Sequence, residues 1–297
     1  LNVKAHMRIR TILLQRSSVK SLTFLGDMFD GVQCPCILLQ LIATGKPLST
    51  AGMMIEDRTR TYTIAMERTV VPENFSFRMT DEEYRVLEKI KNSIPVCYLA
   101  DHADFALGIV TGNNKKFLSA EKTQHSEMVL KGTDICKYHI NPAKQYLRFE
   151  PEQFQQVAPL EIYRAPEKLL YRFISNQLVV AYDDRQMLSL NSCNIVIPKI
   201  EGMQIKYILA ILNSSVSQFV YQKEFHSIKV LRAHMEHIPI PRVGKAIQNE
   251  IIAMTEPLIC GMGKEAAETC QKRLDCRIMD LFRLSAEEQW IIRHALH

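Results

Sequence analysis

The stretch GIVTGNNKKF, Gly108–Phe117, carries residue types able to hold a phosphate: two glycines, two amide side chains and adjacent lysines. A nucleotide-cradling loop needs G-x-x-x-x-G-K-[ST], so that backbone N–H groups and the lysine wrap the phosphates while the hydroxyl holds magnesium. Here three residues separate Gly108 from Gly112, the lysine pair begins three positions after Gly112, and Phe117 follows it. No helical pattern comes next. The spacing removes the nucleotide loop. It leaves a surface turn with Gly112 or Asn113 at positive φ, or a loop that touches something larger.

Other candidate chemistry divides in the same way. His226, His234 and His237 are neighbours in sequence, and zinc would take three or four such ligands with a carboxylate or thiolate in reach. Glu236 points elsewhere on a helix and the run ends at Pro239, which favours polar or backbone-bonded histidines. Asp183-Asp184 follows the strand-like LVVAY. Paired carboxylates can bind a metal, but turns also favour acids at strand ends, and no other acid cluster lies nearby. The eight cysteines form no C-x-x-C pair, and Cys34 and Cys36 flank Pro35 in an apolar strand entry. They read as small hydrophobes of a reduced, cytoplasmic protein rather than as a disulfide framework. No nucleophile–base–orienter set is evident.

Basic and aromatic residues gather in two places. YRAPEKLLYRF sets Tyr163, Arg164, Lys168, Tyr171 and Arg172 close together, and YQKEFHSIKVLR adds Lys223, His226, Ser227, Lys229 and Arg232. Each alone reads as a solvated face. Arginines that fork to guanine edges or phosphates, with lysine, serine and asparagine donors beside them, are equally what a DNA-reading surface needs.

The elements that would position these residues follow from periodicity. Residues 3–16 place Val3, Met7, Ile9, Leu13 and Leu14 on one helical face, with Lys4, Arg8 and Arg16 off it. SVKSLTFLG reads as a strand. After the Asp30-Gly31 turn, CILLQLIA reads as a continuous apolar strand buried in a sheet. RTYTIAM at 60–66 alternates as a further strand, so 1–66 looks like the tail of an α/β unit. Periodicity lapses over 67–80, which reads as a linker. Thr80 with Glu83 then makes a capping box for a helix over 81–92, with Tyr84, Leu87 and Ile90 inward. From about 95 to 200 the chain is strand-rich, with FALGIV, LVVAYDD, LSLNSC and NIVIP as strands. IKYILAILNSSVSQFVYQKEF gives two helices around an Asn-Ser-Ser interruption. The rest is helical: Ala267, Cys270, Leu274, Ile278 and Leu281 share a face, Ser285 and Glu288 form a capping box, and Pro257, Gly261 and Gly263 break the preceding helix.

At 297 residues, 47% apolar and 23% charged, the composition is that of a globular protein. No apolar run approaches the roughly 18 to 20 residues of a membrane span. The net charge of +5 permits an anionic partner without requiring one. A first residue other than Met, inside a segment that reads as mid-domain, suggests a fragment.

FALGIVTGNNKKFL, MVLKGTDICKY, EIYRAPEKLLYRFISNQLVVAYDDRQMLSLNSCNIVIP, YILAILNSSVSQFVYQKEF and HIPIP, in that order, resemble the TaqI-like C-terminal specificity domain. That domain is the target-recognition half of adenine-specific DNA methyltransferases in type II restriction-modification systems. The resemblance covers roughly 95–242, and FLGDMFDGVQCPCILLQL resembles the end of the same proteins' methyltransferase domain. Two family features are missing. The cofactor-binding glycine motif is absent, and so is the Asn/Asp-Pro-Pro-aromatic tetrapeptide, for which NPAK at 141–144 is no substitute.

The resemblance implies an α+β recognition domain preceded by a partial α/β segment and followed by C-terminal helices. The expected divisions are a methyltransferase remnant at 1–70, a target-recognition domain at 71–242 and a helical element at 243–297. It implies a module that binds double-stranded DNA, works with a catalytic domain missing from this sequence, and has no membrane. This sequence would bind no S-adenosylmethionine, the cofactor expected of the full-length enzyme, and would hold no metal or catalytic residue. Expected DNA contacts are Thr111, Asn113, Asn114, Lys115, Lys116, Lys131, Arg164, Arg172, Lys223, Ser227, Lys229 and Arg232. Arg164 and Arg172 have a competing structural reading, pairing with Glu161 or Glu167. Two alternatives stand beside this one: a half-subunit of a type I specificity protein, and an assembly module using the helices at 245–296.

Overall fold

The computed structural model describes residues 6–31, 35–72, 75, 77–225 and 227–296. The chain divides into two compact units, Leu1–Leu87 and Glu88–His297. The segment 71–87 therefore belongs with the first unit and the C-terminal helices with the second.

In the first unit, α1 (Met7–Arg16) leads into β1 (Ser17–Asp27), which turns back as β2 (Pro35–Ala43). Two short strands, β3 (Met54–Glu56) and β4 (Thr61–Thr63), complete a sheet of order β2-β1-β3-β4. β1 runs antiparallel to β2 and parallel to β3. Val19, Leu22, Met53, Ile55, Ile64, Phe75 and Phe77 form the core. Phe75 and Phe77 meet edge to face with centroids 4.8 Å apart. The segment 67–80, expected as a linker, thus supplies buried residues; its Arg68 is itself buried and pairs with Asp81 at 2.6 Å. Its period fails because it packs by single long-range contacts rather than as a regular element.

CILLQLIA is a strand, but not the buried one expected. It lies at the sheet's end, and Leu38, Leu41 and Ile42 are exposed. In α1, Leu13 and Leu14 pack on the core while Ile9 is exposed; Val3 and Lys4 lie outside the described residues. The capping box predicted for α2 (Asp81–Asn92) is present: Thr80 N donates to Glu83 Oε2 at 2.8 Å and Glu83 N to Thr80 Oγ1 at 3.3 Å.

The second unit opens with β5 (Val96–Cys97) and β6 (Ala103–Ala106), the one-turn helix α3 (Asn114–Phe117) and β7 (Leu118–Ser119). β8 (Glu127–Leu130), β9 (Tyr146–Leu147) and α4 (Leu160–Tyr163) follow. The longer strands β10 (Lys168–Arg172), β11 (Val180–Asp183) and β13 (Cys193–Pro198) build a sheet of order β11-β10-β13-β6, with β12 (Leu188–Ser189) in a second sheet, β12-β8-β9-β7. Ile109, Val129, Leu130, Leu170, Ala181 and Ile195 lie in the core that these sheets share.

Next come α5 (Ile205–Asn213) and α6 (Ser215–Glu224), separated by Ser214, whose side chain caps α6 by accepting from Ser217 N. Two amides of this helix pair bond the start of β11 and the residues before it, beside Tyr138, whose backbone bridges Ala181 on the same edge. Asn213 exchanges hydrogen bonds with both backbone groups of Val180 (3.1 and 2.8 Å), and Gln218 does the same with Leu178 (2.9 and 2.9 Å). Side chains thereby satisfy backbone groups that a neighbouring strand would otherwise pair. α7 (Arg232–Glu236), β14 (Ile240–Pro241, paired with β5), α8 (Lys245–Ile259), α9 (Lys264–Leu281) and α10 (Ala286–Ala295) complete the unit. α8 continues through Pro257 and stops only before Gly261, at φ +78°, so the proline does not break it as expected. Ser285 and Glu288 form the predicted capping box of α10. The fold is α+β with C-terminal helices. No helix of the described residues is long and apolar enough to cross a membrane.

Candidate nucleic-acid interface

The loop that precedes α3 is shaped by contacts only glycine permits. A Cβ on Gly108 would stand 2.1 Å from the carbonyl oxygen of Leu190. Ile109 N donates to Ser189 O at 2.7 Å, and Val110 exchanges two bonds with Gln156 (2.9 and 3.1 Å). The chain reverses at Gly112, φ +76°, which supplies the left-handed conformation expected there. Thr111 is buried and donates its hydroxyl to Asn114 Oδ1 at 2.6 Å. Asn113 caps α3 by accepting from Lys116 N at 3.2 Å. Phe117 anchors the turn edge-on against Phe154, 5.3 Å away, with Lys116 Nζ 4.7 Å from the Phe117 ring. Lys115 and Lys116 are left exposed on a fixed turn. Since Leu190 fills the space beside Gly108 and α3 spans four residues, the loop is no cofactor cradle.

The other predicted contacts separate into two groups. Arg164, Arg172 and Lys223 are tied into the fold. Arg164 donates to Gln186 O at 2.7 Å and pairs with Glu127 at 2.6 Å, not with the nearby Glu161 or Glu167. Arg172 donates to Gly132 O at 2.9 Å and Ile135 O at 2.5 Å, holding a short turn whose start is fixed by Lys131 N donating to Asp134 Oδ2. Lys223 is buried, with Nζ 5.7 Å from the Phe219 ring. Lys131 is half-buried.

Lys229 and Arg232 belong to the second group, as exposed cations. Ser227 orders their loop, donating to Lys229 O at 2.9 Å and accepting from Lys229 N at 3.1 Å. Arg232 is held by Glu236 at 2.7 Å and lies 5.2 Å from the centroid of Phe105. It borders a cleft of about 580 Å³ that also includes Phe105, Gly108, Gln156 and Pro159, which brings the start of the 108–117 loop and α7 to one region.

The metal readings meet ordinary structural roles. His234 stacks on Phe225 at 4.4 Å and accepts from Leu231 N at 3.2 Å; burial pulls its pKa down to about 4. His237 Nδ1 lies 2.6 Å from Ala233 O, and His226 is outside the described residues. Asp183 accepts from Arg185 N and Met187 N, both at 2.9 Å, which is the turn role predicted for it. It also pairs with Lys168 at 2.5 Å, both side chains fully buried. Lys168 donates as well to Tyr163 O at 2.6 Å, a role its sequence position did not announce. Among the described residues no group of three metal-ligating side chains occurs.

Residues 127–240 match the TaqI-like C-terminal specificity domain. The match holds β8 through α7, ends at the first residue of β14, and leaves the 108–117 loop on its N-terminal side. A type IIL restriction-modification enzyme, MmeI, solved in complex with DNA, has a similar fold at 10% identity and a TM-score of 0.54. The similarity covers 97% of this chain and 48% of that one, so the chain spans about half the enzyme's length. The type IIG restriction endonuclease BpuSI aligns over 95% of this chain and 45% of its own, with 9% identity and a TM-score of 0.40. The HsdS subunit from Thermoanaerobacter tengcongensis aligns over 73% and 50%, with 13% identity and a TM-score of 0.37. No curated protein sequence matches the chain.

Proposed function

We propose that this chain is the DNA target-recognition portion of a restriction-modification protein. The observation that carries the reading is the specificity-domain match over 127–240. It is supported by a fold shared along nearly the whole chain with an enzyme solved on DNA.

Recognition would divide the labour between charge and shape. Lys115, Lys116, Lys229 and Arg232 are exposed, on backbone that is internally hydrogen-bonded, and would neutralise phosphates and set register. Asn113, Asn114 and Ser227 would support them with polar contacts. Thr111, Arg164, Arg172 and Lys223 would act indirectly, by holding the loops that carry those cations. We further propose that the partner is an adenine-methylating catalytic domain, which supplies the S-adenosylmethionine site and works with this chain in the cytoplasm.

Binding of the chain to a labelled duplex, followed by fluorescence anisotropy between 50 and 200 mM salt, tests the reading. Four phosphate contacts give a slope of log K against log salt of about −3.6, a loss of affinity of about a hundredfold over that range. Absent or salt-independent binding would favour the assembly reading of the C-terminal helices.

A further inference from the structure

Two segments at the edge of the second unit form a narrow ribbon. Ile174 and Lys229 face each other in an isolated antiparallel bridge, flanked by Val230 N donating to Phe173 O at 2.8 Å and Ser175 N to Ile228 O at 2.9 Å. Flanking bonds of this kind make Ile174 and Lys229 a non-hydrogen-bonded pair, whose side chains stand close on one face. Ile228, one residue along, belongs to the opposite face. The base of the ribbon is fixed: Val230 is buried, Tyr221 donates its hydroxyl to Ser227 O at 2.9 Å, and Arg172 is bound to two carbonyls.

On this rigid support Ile228 is 66% exposed and Ile174 62%, more than any other large apolar side chain described in the unit. Exposed Lys229 and Arg232 flank them, and exposed Asn176 follows at the turn, where Gln177 N donates to Ser175 Oγ at 3.1 Å. A β-branched side chain on paired backbone has little freedom to turn away from water, so both ribbon faces present apolar surface beside positive charge. The major groove of B-DNA admits a two-stranded ribbon, and the apolar group it displays on base edges is the 5-methyl of thymine.

We propose that this ribbon enters the major groove edge first, so that Ile174 and Ile228, on its two faces, each select thymine by contact with a 5-methyl group on either side of the groove floor. Lys229 and Arg232 reach the phosphates on either side, and Asn176 offers the paired acceptor and donor that suit an adenine edge. The inference rests on the DNA-recognition reading above and adds the base class that is read and the side chains that read it.

The test selects duplexes from a randomised pool with the 297-residue chain, then replaces each selected thymine by deoxyuridine, which differs by the methyl group alone. Wild type should lose about fourfold in affinity for each methyl contacted. Ile174→Ala and Ile228→Ala should each bind thymine and deoxyuridine duplexes equally at one such position, with unchanged melting temperature. Salt-dependent binding by wild type that is indifferent to deoxyuridine throughout, or variants that discriminate as wild type does, would overturn the ribbon assignment alone. Failure of wild type to bind any duplex in a salt-dependent way would overturn the recognition reading, and this inference with it.

Discussion

Two sets of cations look alike in the sequence and do opposite work in the structure. Around β10, Arg164, Lys168 and Arg172 face acceptors inside the protein: a glutamate, a buried aspartate and four backbone carbonyls. On α3, Lys115 and Lys116 sit on a turn closed by its own asparagines and remain exposed. A basic residue in or beside a buried strand meets backbone and carboxylate oxygens that need donors. One on a self-capped turn does not. The contrast predicts stability effects for the first set and binding effects for the second.

Lys168→Ala should give the largest change. It leaves the buried Asp183 carboxylate without its counter-charge, which costs about 3 to 5 kcal/mol, read as a lower midpoint in urea denaturation. A loss below about 1 kcal/mol would mean the pair is not load-sharing, and the contrast would fail at its strongest point. Arg172→Ala should cost about 1.5 to 3 kcal/mol, the range for hydrogen bonds made by a charged group. Arg172→Lys sharpens the comparison, since it keeps the charge but cannot fork to both carbonyls. Stability should fall with it as well; full stability with weakened DNA binding would move Arg172 to the second set.

His234 gives a smaller effect that depends on pH. Its pKa is about 4 in the fold against an ordinary 6.5, so the unfolded chain takes up a proton first as the solution is acidified. Stability should be complete above pH 6.5 and decline as pH falls toward 4. Carboxylates held low by their partners, such as Glu288 beside Lys89 and Asp81 beside Arg68, add losses only at lower pH. Denaturation at pH 7 and pH 5 should show the decline in wild type and less of it in His234→Gln. Lys115→Ala with Lys116→Ala should change stability least, by no more than about 0.5 kcal/mol. It should instead make the salt slope of DNA binding shallower by about 1.8. An unchanged slope would remove α3 from the interface.

Local signals survived folding well. The capping boxes at Thr80 and Ser285 are present as spaced, and Ser214 separates α5 from α6 where the Asn-Ser-Ser interruption falls. Each depends on residues three apart, which a sequence displays directly. Distant partners were hidden. Arg164 bypasses neighbouring Glu161 and Glu167 for Glu127, while Glu167 accepts from the Tyr182 hydroxyl. Asn213 bonds Val180 and Gln218 bonds Leu178 across more than thirty residues of chain, so the Asn213 amide read only as part of a helix break. Phe75 and Phe77 looked like linker residues because no period marks a segment that packs one side chain at a time. Ile174 and Ile228 carried no signal as a pair, because only the bridge at Ile174 and Lys229 brings their segments together.

The outer strand of the first sheet has a consequence for handling the protein. β2 is nine residues long, is paired on one side by β1, and exposes Leu38, Leu41 and Ile42. A long apolar strand with unpaired N–H and C=O groups is a template on which another strand can add. Two molecules meeting edge to edge at this hairpin would already share the start of a continuous sheet.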